Sequence, residues 1–229
     1  MTSSTGSLGS GTLGRATAMV YRILILELLF LTTASPGLVL LVTLSADPTN
    51  APLLALCLLP VGPALSALVY AWRESKTEEH LEPARHFWRG YRQNAVGILR
   101  WWWLYVAVVA VLGINLASLD TVIPPGLPLL LAGIAQAGVF VGVTVVALHA
   151  LLIASLYNFR TRDVLRLALI CARISPRASI GVAAITIASA GVVAVGSEIA
   201  LFALGSVLAA LLLNNAQSLT IAIEEKYIA

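Results

Sequence analysis

The chain has 229 residues, 59% of them hydrophobic and 11% charged, with a formal net charge of +3. Soluble domains are roughly 45–50% apolar and about 25% charged, so this composition points into the lipid bilayer and away from a water-soluble globule. A mean hydropathy of +0.92 agrees.

Residues 1–18 (MTSSTGSLGSGTLGRATA) are small, polar and glycine-rich. They cannot bury a core, which predicts a disordered cytoplasmic tail. Arg15 and Arg22 then precede an apolar run in which Thr32-Thr33-Ala34 imitates a leader cleavage site. Glu27 interrupts that run, Pro36 follows the site, and apolar sequence continues to Leu44, so the run is read as a retained first span.

A helix needs about 20 mostly apolar residues to cross a hydrocarbon core roughly 30 Å thick. That rule predicts an all-α, polytopic bundle of six transmembrane helices in one domain, 19–225, with spans near 20–45, 52–72, 99–119, 127–157, 178–196 and 198–220. The last two form one apolar run, divided at Gly196-Ser197-Glu198, where a turn is expected.

Charge placement orients the bundle. Arg73, Lys76, Arg85, Arg89, Arg92 and Arg100 lie in or beside the second connector. Arg160, Arg162, Arg166, Arg173 and Arg177 lie between spans four and five, Arg15 and Arg22 at the N-terminus, and Lys226 at the C-terminus. The intervening connectors hold only Asp47, Asp120 and Glu198. With six spans every cationic segment falls on one side, which the positive-inside rule makes cytoplasmic, along with both termini. Trp72, Trp88, Trp101, Trp102, Trp103, Tyr21, Tyr70, Tyr91 and Tyr157 gather near that same boundary. Amphipathic rings prefer the headgroup level.

Both cytoplasmic connectors read as interfacial helices. From Pro83, the apolar positions Ala84, Phe87, Trp88, Tyr91, Ala95 and Ile98 recur every three to four residues, with Arg85, Arg89 and Arg92 on the other face. In the later connector Val164, Leu165, Leu167 and Ile170 oppose Arg162, Arg166 and Arg173. Such faces suit the anionic inner leaflet or a docked cytoplasmic protein. Cys57 and Cys171 lack metal-ligand spacing and fall in different environments, so both are read as packing residues.

Ionisable groups inside a span cost several kcal/mol and are functional candidates. Glu27 and His149 qualify, each about 10–12 Å inside the inner boundary at about 1.5 Å per residue. Asn214, Asn215 and Gln217 fall in the same inner half. Together they form a candidate site for a proton, an ion or a small polar ligand, provided Glu27 and His149 meet. Inter-helix hydrogen bonding is the structural alternative, and Asn115 and Gln136 are read in that way. Pro60, Gly62 and Pro63 predict a kink in the second span, because proline removes a backbone donor. Gly138 and Gly142 form a GxxxG pair that permits close helix approach, within the chain or to a second copy.

No metal, nucleotide or hydrolase motif is present, so no enzymatic activity, cofactor, metal or nucleic-acid partner is expected. Leu59-Pro60-Val61-Gly62-Pro63-Ala64, then Ala67 and the polar connector from Phe87 to Asn94, resembles the YesL-like family of bacterial membrane proteins, a domain family of unknown function. The resemblance continues through Asn158-Phe159 and the arginine-rich segment. Two departures stand out. Glu27 occupies a place where the family pattern has a polar asparagine, and Tyr157-Asn158-Phe159 replaces a Tyr-Pro pair. The resemblance implies a bacterial plasma-membrane protein with an accessory role in carbohydrate uptake by ABC-type systems, and hence permease subunits as partners. A transporter or channel for a small polar solute, working through Glu27 and His149, is the alternative.

Overall fold

In hydrocarbon every backbone N–H must bond within its own segment, so long apolar runs become helices. A computed structural model of the chain describes residues 12–44, 47, 50–77, 82–157, 159–195 and 198–216. It is all-α: α1 Thr12–Thr43, α2 Ala51–Leu56, α3 Val61–Thr77, α4 Pro83–Ala117, α5 Leu119–Val122, α6 Leu127–Leu156, α7 Thr161–Ile174, α8 Pro176–Val195, α9 Glu198–Phe202 and α10 Gly205–Asn215. Five stretches are long and apolar enough to cross a membrane: Gly14–Thr43, Ala51–Ser75, Pro83–Ala117, Leu127–Leu156 and Pro176–Val195. The chain is a multi-pass membrane protein.

Two expectations are corrected. The helix of the first span starts at Thr12, inside the expected 1–18 tail. Propagating an existing helix fixes one residue per bond gained, and Ala16 and Ala18 favour it. The expected interfacial helix from Pro83 is not separate either. It is the beginning of α4, which runs unbroken for 35 residues with no proline after Pro83. At about 1.5 Å per residue α4 is roughly 52 Å long, about 20 Å more than the core thickness.

The expected sixth span lies near 198–220. Over the described residues it consists of α9 and α10, interrupted at Ala203–Leu204. The 11 residues of α10 reach only about 16 Å, so α10 alone cannot cross. Gly205, the first residue of α10, packs closely on α1. A Cβ there would stand 2.4 Å from the Phe30 ring, so only glycine allows this approach of α10 to α1. Gly196, Ser197, Asn158, Gln217 and Lys226 lie outside the described residues.

The proline-rich break organises the packing. Residues 57–60 form turns between α2 and α3, with Leu59 N donating to Leu56 O at 2.9 Å and Val61 N to Leu58 O at 3.1 Å. Pro60 and Pro63 have no N–H to give to this turn, and Leu58 O, which accepts from Val61 N, also accepts from Trp102 Nε1 at 2.8 Å. Its indole lies on Gly62, where a Cβ would come within 2.5 Å of the ring. Farther along the same antiparallel pair the roles swap, with Gly90 of α4 lying against Tyr70 of α3. A glycine facing an aromatic ring at two places clamps α3 to α4. The core continues through Leu68, Phe87, Ile98 and the C-terminal half of α6, where Leu151, Leu152 and Ile153 are buried. Gly138 and Gly142 have no atom within 4 Å of a Cβ built on them, so the GxxxG pair packs against nothing described in this chain.

Candidate functional site

No hydrogen bond joins Glu27, His149 and Asn215 to one another. Glu27, half-buried on α1, accepts a hydrogen bond through Oε2 from the Ser206 backbone N–H at 2.7 Å. Ser206 is the second residue of α10, so a carboxyl group from another helix satisfies one of the orphan donors at that terminus. The Ser206 carbonyl in turn accepts from Trp72 Nε1 at 3.0 Å. The Arg22 guanidinium lies 5.8 Å from the centre of the Trp72 ring. Glu27 is thus part of a three-helix junction joining α1, α3 and α10.

His149 lies on α6. It is 1% exposed, with Nδ1 bonded to Val145 O at 2.8 Å and Nε2 buried without a partner. No hydrogen bond joins it to Glu27, whose Oε1 is also buried and unpartnered. Asn215 Nδ2 donates to Ala178 O at 2.7 Å and ties α10 to α8. Asn214 faces outward. Gln136 Nε2 bonds Leu112 O, joining α6 to α4.

Several polar contacts lay beyond sequence reasoning. Ser66 and Ser155 share a buried hydrogen bond of 2.7 Å between α3 and α6. Arg73 donates to Leu156 O at 2.6 Å, satisfying a carbonyl at the α6 C-terminus, and its guanidinium lies 5.8 Å from the Tyr157 ring. Arginine near a helix C-terminus was the available signal, but nothing in the local sequence links positions 73 and 156. Asn94 Nδ2 and Trp101 Nε1, both buried and unpartnered, line a pocket of about 80 Å³ where α4, α6 and α7 meet.

The basic faces are well formed. Val164, Ala168 and Cys171 bury one side of α7, leaving Arg162, Arg166 and Arg173 exposed on the other. Burial pushes the Cys171 thiol above its ordinary range. On the first turns of α4, His86, Phe87 and Gly90 are buried, whereas Arg89 and Arg92 are exposed. Arg85 is exposed too and pairs with Glu82 at 2.9 Å. Among the described residues no group of three or more His, Cys, Asp or Glu could hold a metal ion.

A cavity of about 420 Å³ is walled by residues of α1, α3, α4, α6, α8, α9 and α10. Phe30, Phe140, Ile185 and Leu208 represent its character. Tyr105 and Thr144 on its wall bond each other at 3.2 Å.

Residues 23–116 match the family described as protein of unknown function, DUF624. These are the YesL-like membrane proteins. The matched stretch runs from α1 through α4 and contains Glu27, the Pro60-Gly62-Pro63 break and Arg85, Arg89 and Arg92. His149, Asn214, Asn215 and the α7 arginines lie beyond it. No curated protein and no solved structure matches the chain. The YesL-like resemblance thus covers the tightly clamped α3–α4 pair and the helix that leans on it.

Proposed function

We propose that the protein is a non-enzymatic accessory component of a bacterial carbohydrate uptake system of the ABC type. It sits in the plasma membrane with both termini cytoplasmic, α9 and α10 together completing a sixth crossing. The observation that carries this reading is the pair of exposed arginine faces, Arg85, Arg89 and Arg92 on α4 and Arg162, Arg166 and Arg173 on α7. Six crossings put both on the cytoplasmic side by the positive-inside rule. There they engage the anionic inner leaflet and permease subunits. The carbohydrate assignment rests on the YesL-like resemblance.

A transporter or channel for a small polar solute is supported less well. It would need a polar route to the midplane, and the large cavity has apolar walls. Glu27 is engaged by Ser206, and His149 bonds its own helix. The unpartnered His149 Nε2 is the feature that favours this second reading.

The deciding experiment is purification from native membranes in gentle detergent, followed by mass spectrometry. Wild type is compared with a variant carrying Arg85→Glu, Arg89→Glu and Arg92→Glu. Permease subunits should accompany the wild type stoichiometrically and be lost from the variant. If nothing accompanies the wild type, accessory docking gives way to transport.

A further inference from the structure

We propose that the 420 Å³ cavity is a binding site for one acyl chain of a membrane phospholipid. Its size falls within the roughly 300–1,000 Å³ typical of ligand pockets. It is also nearly three times the roughly 150 Å³ of an apolar cavity that stays dry yet admits benzene.

The wall chemistry selects the occupant. The cavity is flanked by the stacked Phe30 and Phe202 rings, 6.1 Å apart, and by alkyl side chains of five helices. Three of its four hydroxyl side chains are already engaged, leaving only Ser189. Tyr105 and Thr144 bond each other, Thr144 donates to Phe140 O at 2.8 Å, and Thr186 donates to Val182 O at 2.9 Å. A resident water needs two to four polar partners, and a sugar needs more. Neither finds them here.

The absence of a cation narrows the choice again. No Lys, Arg or His lines the wall, so nothing holds a free carboxylate inside, and the head of any lipid stays outside. The space is partly open rather than sealed, and Ala190 on its wall is exposed. A phospholipid can therefore insert one chain while its headgroup remains at the interface. This site lies apart from the arginine faces, so its occupancy does not depend on accessory docking.

The full chain would be reconstituted in phosphatidylcholine vesicles containing a phospholipid with a diazirine in one acyl chain, irradiated, and mapped by peptide mass spectrometry. Adducts are expected at Thr144, Thr186 or Leu208. In a Ser189→Phe variant they should fall about tenfold, as when bulk is added to a fitted apolar pocket. Labelling at exposed Leu131 should be unchanged. Ala190→Leu, a smaller filling change, should reduce wall labelling if Ser189→Phe does not fold. No wall adducts in wild type, or wall adducts undiminished in a folded filled variant, would overturn the site. A free fatty acid carrying the same diazirine should label the wall less than the phospholipid does. Equal or stronger labelling by it would overturn the phospholipid assignment.

Discussion

Glu27 of α1 accepts a hydrogen bond from the Ser206 backbone N–H of α10 at 2.7 Å, across 179 residues of sequence. A residue whose position inside a span suggests proton or ligand chemistry is thereby engaged in holding a helix terminus. Because Ser206 also accepts from Trp72, the bond fixes α10 to two neighbours at once. Glu27→Ala should cost about 0.5–2 kcal/mol, the usual range for a lost cap. That corresponds to roughly 2–4 °C of Tm per kcal/mol for a chain of this size. Glu27→Gln keeps an acceptor and should lose less. Thermal unfolding in detergent checks both, and an unaltered Tm in the alanine variant would show that the cap is dispensable.

The Gly62–Trp102 contact should be the most sensitive point of the α3–α4 pair. A methyl at position 62 would overlap the indole at 2.5 Å, so Gly62→Ala should destabilise by about 1–3 kcal/mol. Trp102→Leu removes both the ring and the bond to Leu58 O, also at a cost. Combined, the two changes should cost less than their sum by about 0.5–3 kcal/mol. Strict additivity in a double-mutant cycle would mean the helices are not clamped there.

Asn215 gives a parallel test at the other end of the chain. Asn215→Leu removes the bond to Ala178 O and should weaken the α8–α10 contact by about 0.6–2 kcal/mol, the range for such bonds in membranes. Protease sensitivity of the 203–204 break should rise in step. Unchanged stability and cleavage would count against the bond.

Cys171 supplies a pH dependence. Burial disfavours the thiolate and raises the thiol's titration range. Stability from this group is therefore whole below the unfolded thiol range, near 8.5. It falls as pH climbs through the raised folded value. Alkylation of the folded protein should lag the unfolded chain at pH 8 and accelerate only at more alkaline pH. Equal rates at pH 8 would show an accessible thiol.

The apolar runs announce where spans lie, because hydropathy and a length of about 20 residues are local properties. Proline spacing likewise announces the break at 57–60. Which tryptophan fills it is less visible. Trp101 and Trp102 turn inward while Trp103 stays exposed, a distinction set by where α3 sits around α4. The start of α4 reads as a surface helix because its arginine face is amphipathic. That periodicity carries no mark of whether the helix ends, and no proline ends it. Glu27 and His149 look like a pair from depth alone, yet α1 and α6 place them without a bond. Backbone donors such as Ser206 N–H leave no trace in composition, and the apolar cavity arises only from how seven helices are arranged.

Docking through two arginine faces requires both to lie on the same side of the membrane. Single cysteines at Arg92, Arg166 and Thr121, in a background with Cys57 and Cys171 replaced by alanine, can be probed with a membrane-impermeant maleimide in intact cells. Positions 92 and 166 should label only after permeabilisation, and position 121 should label without it. Labelling of 92 and 166 from opposite sides would contradict the shared cytoplasmic surface on which the proposed docking depends.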